Sequence, residues 1–89
     1  MNKDDGQFLE GVGFRIRELR IAAGLTQAAL AEKCGLHRTF IGSVERGERN
    51  VALLSLRRIA ASLRVAPAEL LADTSGGIVA RAVVRIRAV

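Results

Sequence analysis

Residues 27–46 read QAALAEKCGLHRTFIGSVER, and their spacing predicts two short helices that meet at a steep angle. Thr26 stands where a side-chain oxygen can cap the first of them, Gln27 to Cys34. Its inward face is Leu30, Ala31 and Cys34. Ala31 must be small because the two helices nearly touch there, and Gly35 supplies the positive φ that the tight turn needs. The second helix runs from about Arg38 to Arg46 with Phe40, Ile41 and Val44 on its apolar side, and Gly47 ends it. Leu30, Cys34, Leu36, Ile41 and Val44 lock the pair together, which leaves the outer face of the second helix unburied.

Upstream, Leu9, Val12, Ile16, Leu19 and Ala23 recur at steps of three and four and predict an amphipathic helix from Phe8 to Ala23. Gly11 and Gly13 each weaken it by roughly 1 kcal/mol relative to Ala, and Gly24 sits where a left-handed cap would close it. Residues 1–7 read as a flexible, solvated start. Downstream, a fourth helix covers about Leu53 to Leu63, and Pro67 opens a short fifth through Leu71, so residues 8–72 form one helical domain. Residues 73–77 (DTSGG) are a linker. From Ile78 to Val89 the pattern changes to period two: Ala80, Ala82, Val84, Ile86 and Ala88 alternate with Arg81, Val83, Arg85, Arg87 and Val89. That alternation favours a half-buried strand, which needs a partner strand for its backbone groups. A second copy of the chain is the obvious one, which would make 78–89 a dimerisation arm; a disordered end, or an extra helix or DNA-contacting arm, are the other readings of this tail.

The whole chain has 89 residues, 49% of them hydrophobic, enough for one compact domain. With three Phe and neither Trp nor Tyr, the core must come from Leu, Ile, Val and Ala. The net charge is +5, and arginine far outnumbers lysine. Its planar fork of donors matches phosphate oxygens and the major-groove edge of guanine, so nucleic acid is the leading class of partner. One cysteine, Cys34, cannot form an internal disulfide, which fits a reducing, cytoplasmic setting. The acidic, polar beginning MNKDDGQF is no signal peptide, and no apolar run approaches the ~20 residues of a membrane span.

The run TQAALAEKCGLHRTFIGSVERGERN, with VGFRIRELRIAAGL before it and SLRRIAASLRVAPAELL after it, resembles the XRE-type (Cro/CI-like) helix-turn-helix domains over about Leu9 to Leu71. HRTFIGSVERGERN in particular resembles the controller proteins of restriction-modification systems. The resemblance implies an all-α, five-helix, lambda-repressor-like domain, here followed by the short C-terminal β arm. It implies that the second helix of the pair enters the major groove of double-stranded DNA. Carried over by position, Arg38, Thr39 and Ser43 would reach base edges, with Arg38 the guanine reader. Gln27, Arg46, Arg49 and Asn50 would hold phosphates, which sets register without reading sequence. Arg20 and Glu45 match a structural ion pair tying the first helix to the third. Two residues depart from the pattern: His37 stands where a better N-cap is usual, and Gly42 where a side chain is usual. Gly42 permits close approach to the DNA backbone or only softens the helix.

Nothing in the sequence suggests an enzyme. His37 is the only histidine, with no carboxylate cluster or metal-ligand spacing around it, so no catalytic residue, metal or cofactor is expected. Cys34 reads as a small core residue, and Arg57 and Arg58 as a solvated helix face. The expected function is a sequence-specific transcriptional regulator, a repressor or autoregulator, acting as a homodimer. Two copies would read an inverted repeat with half-sites about 34 Å apart. A rival reading keeps the fold but makes the chain antitoxin-like, its C-terminal segment binding a second protein while the domain autoregulates the operon.

Overall fold

The structure, a computed structural model, describes residues 2–72. Five helices follow one another: α1 (Lys3–Ala22), α2 (Gln27–Cys34), α3 (Arg38–Glu45), α4 (Leu53–Ser62) and α5 (Pro67–Leu71). No strand occurs among the described residues, and the linker and β arm expected over 73–89 lie outside them. Helices α2 to α5 fall where the sequence places them to within one residue.

Helix α1 differs. It begins at Lys3, five residues before the expected Phe8, so residues 3–7 are helical rather than a loose start. Asn2 explains the extension, because its side-chain oxygen accepts from the Asp5 N–H at 2.8 Å. Asp4 and Asp5 then sit in the first turn, where negative charge meets the positive end of the helix dipole. Helix α2 is capped as expected, Thr26 Oγ1 accepting from Ala29 N at 3.0 Å. Helix α3 is better started than its sequence suggests. His37 Nδ1 accepts from Thr39 N at 3.1 Å, so the imidazole does a capping oxygen's work.

The first four helices stop in the same way. Beyond α1, α2 and α3 a glycine at φ near +70° lets the next amide reach back five residues: Leu25 to Arg20, Leu36 to Ala31, Glu48 to Ser43. After α4 the same bond, Val65 to Ala60, is made with Arg64 at φ 59°, a conformation that costs a non-glycine residue about 1 kcal/mol.

The core gathers Ile16 of α1, Leu30 of α2, Ile41 and Val44 of α3, Ile59 of α4 and Leu70 of α5, all but fully buried. Burying each such side chain contributes about 1.5–3 kcal/mol. Cys34 lies in this cluster as a free thiol, its Sγ donating to the Leu30 carbonyl at 3.0 Å. Helix α1 crosses the end of α3 almost backbone to backbone. A β-carbon on Gly13 would overlap the Val44 carbonyl oxygen and lie 2.6 Å from that of Glu45. One on Gly47 would lie 2.7 Å from Glu10 Cα. Gly13 therefore does more than weaken α1: its missing side chain is what lets α1 seat against α3.

Candidate nucleic-acid interface

The far end of α3 is held by one buried carboxylate. Glu45 Oε2 accepts from Arg20 Nε at 2.6 Å, and Oε1 accepts from Arg20 Nη2 and from Gln27 Nε2, both at 3.0 Å. Arg20 uses its remaining nitrogen on the Leu25 carbonyl at 2.9 Å. The Arg20 and Glu45 side chains are only 11% and 2% exposed, so solvent screens the pair little. The hydrogen bond to Glu45, opposed by burial, raises the Arg20 pKa still further above neutrality. Three helices thus meet at Glu45, and the paired Arg20 and Glu45 expected from the sequence are in bidentate contact. Gln27, expected to hold a phosphate, has one amide N–H committed to this cluster.

Arg38 and Thr39 stand exposed at the opposite end, in the first turn of α3. Ser43 does not share that face. It is 6% exposed, its hydroxyl donating to the Phe40 carbonyl at 2.8 Å and accepting from Arg49 Nε at 3.3 Å. The sequence places Ser43 on an open face; the structure closes it, because α3 is buried continuously from Ile41 to Glu45. Arg49 also lies over the Phe40 ring, 5.8 Å from guanidinium carbon to ring centroid, a cation–π arrangement. Sequence reasoning missed this Phe40–Ser43–Arg49 set. The only signal was an aromatic residue and a serine three apart, which reads equally well as core.

Arg46, Arg49 and Asn50 are exposed just beyond α3. Arg46 is braced by Glu48, through Nε to Oε2 at 3.0 Å and Nη2 to Oε1 at 3.2 Å. The hydrogen bonds of this exposed pair raise the Arg46 pKa and lower that of Glu48. Its contribution to stability is small; in this arrangement Nε and Nη2 of Arg46 face Glu48. The result is a surface with Arg38 and Thr39 at one end of a helix and three arginine or amide side chains at the other. It offers hydrogen-bond donors for phosphate and base edges and no group of three metal-ligating side chains among the described residues. No helix among those residues is long and apolar enough to cross a membrane.

Known proteins share this architecture. The helix-turn-helix family model HTH_3 matches residues 16–70. Control protein C.BamHI of Bacillus amyloliquefaciens is 41% identical over 66 residues, spanning 73% of this chain and 82% of that protein. Control protein C.SmaI of Serratia marcescens is 50% identical over 56 residues, 63% of this chain and 67% of that protein. The crystal structure of the restriction-modification controller protein C.AhdI from Aeromonas hydrophila superposes with a TM-score of 0.68 at 45% identity, covering 72% of this chain and 96% of its own. Residues 16–70, which the family model matches, take in the capped α2, the glycine turn, α3 with its Glu45 anchor, α4 and most of α5. The chain belongs to the XRE-type (HTH_3) helix-turn-helix family of DNA-binding transcription regulators.

Proposed function

We propose that this protein is a sequence-reading repressor and autoregulator that binds an inverted repeat as a homodimer. The observation that carries the reading is the pinning of α3. Its outer turn presents Arg38 and Thr39 to solvent while its other end is tied through Glu45 to α1 and α2. A reading helix must be held rigidly, since a misplacement of about an ångström loses bidentate geometry. Arg38 is the guanine reader and Thr39 contacts the neighbouring base. Gln27, Arg46, Arg49 and Asn50 take phosphates, with the buried Ser43 bracing Arg49 rather than reaching a base. Residues 78–89 carry the contact between copies. Similarity to the restriction-modification controller protein C.AhdI favours an operator that governs restriction-modification genes.

Selection from a pool of random duplexes near physiological salt tests this. Recovery of an inverted repeat with half-site centres about 10 base pairs apart is expected. Salt-sensitive binding with no recovered motif would remove sequence reading from the protein.

A further inference from the structure

Gly42 lies in the middle of the reading helix, where glycine weakens the helix relative to alanine. Two other glycines, Gly13 and Gly47, are forced by close approach of backbone. Gly42 is not. The atoms a β-carbon there would meet are Arg46 Nη1 at 3.3 Å, Gln27 Oε1 at 3.4 Å and Gln27 Cδ at 3.9 Å, the far ends of two flexible side chains. Packing of the fold alone therefore does not demand a bare α-carbon.

The two side chains that cover it are both aimed by carboxylates. Gln27 Nε2 donates to Glu45, which turns Oε1 toward Gly42 and leaves Nε2 a second N–H. Arg46 commits Nε and Nη2 to Glu48, which leaves Nη1 over Gly42. Side chains from the start of α2 and the end of α3 thus converge on the same stretch of bare backbone. A methyl group there would push Arg46 Nη1 outward by a few tenths of an ångström and meet Gln27 Oε1 at the edge of ordinary contact.

We infer that Gly42 is a positioning residue for DNA binding: it is the seat on which Arg46 and Gln27 lie together to grip one phosphate of the DNA backbone. This rests on the DNA-binding role of α3 proposed above.

The test compares the parent, Gly42→Ala, Arg46→Ala and the double variant, each bound to the selected operator and to an unrelated duplex between 50 and 200 mM salt. Gly11→Ala serves as the control, because nothing lies within 4 Å of a β-carbon at that site in α1. Gly42→Ala should melt no lower than the parent. It should bind both duplexes about fivefold more weakly at 0.15 M salt, with a log–log salt slope shallower by about 0.9, the signature of one lost phosphate contact. In the Arg46→Ala background the same change should leave the slope where it is. Parental affinity and slope in Gly42→Ala would overturn the inference. So would a loss confined to the operator, which assigns Gly42 to base readout, or a lowered melting temperature, which assigns it to packing. A parent that binds neither duplex would instead refute the DNA-binding role itself.

Discussion

Replacing Glu45 by glutamine keeps the shape of the side chain and removes its charge. The carboxylate accepts three hydrogen bonds, two from Arg20 and one from Gln27, on oxygens all but closed to solvent. An amide offers a single acceptor oxygen. Whichever way it turns, its NH2 faces a donor of Arg20 or Gln27, and the Arg20 cation loses its counter-charge. Breaking a buried pair from one side costs about 3–5 kcal/mol. Arg20 keeps its bond to the Leu25 carbonyl at 2.9 Å, so the lower end, about 3 kcal/mol, is expected. For a domain of this size that is a fall in Tm of roughly 12–24 °C. Urea unfolding followed by far-UV circular dichroism measures it, with an unchanged m-value showing that the same surface unfolds. A loss below about 1 kcal/mol, the size found for exposed pairs, would refute the claim that this cluster pins α3. The double variant Arg20→Met/Glu45→Leu should regain most of the stability, since neither charge is stranded. It should still bind DNA more weakly than the parent, because Gln27 has lost its anchor.

Gly13→Ala gains up to about 1 kcal/mol of helix propensity but drives a methyl group into the Val44 carbonyl, so a net loss of about 1–3 kcal/mol is expected in the same unfolding assay. A variant as stable as the parent would mean that α1 does not seat on α3 as described. Burial pushes the Cys34 thiol pKa up, so it stays protonated at neutral pH and should react with a thiol reagent only as fast as the domain opens. Labelling at the rate of a free peptide thiol would place Cys34 at the surface. Deleting residues 78–89 should lower the apparent mass in sedimentation. An unaltered profile would move the contact between copies elsewhere, with the exposed Leu53 and Leu54 at the start of α4 the first surface to test.

The helix pair was legible because its signals are local. Thr26, Gly35 and Gly47 punctuate the chain within a turn of the bonds they serve. Leu30, Ala31, Cys34, Ile41 and Val44 mark one buried side at helical spacing. The Arg20 and Glu45 pair, 25 residues apart, was legible only through the family resemblance. What escaped depends on contacts between distant segments. Gly13 reads as a weak helical residue until α3 is laid across it. Ser43 reads as exposed until Arg49, six residues on, folds back over Phe40. The start of α1 was misplaced for a different reason. Gly11 and Gly13 read as weakening its first turn, while the Asn2 cap and the acidic first turn outweigh them.

Base reading by α3 rests on Arg38, and repeating the duplex selection with Arg38→Ala puts that role to the test. The variant should fold and recover the parent's inverted repeat with preference relaxed at one symmetry-related position per half-site, a discrimination worth about 1–3 kcal/mol there. An operator recovered unchanged at every position would contradict it.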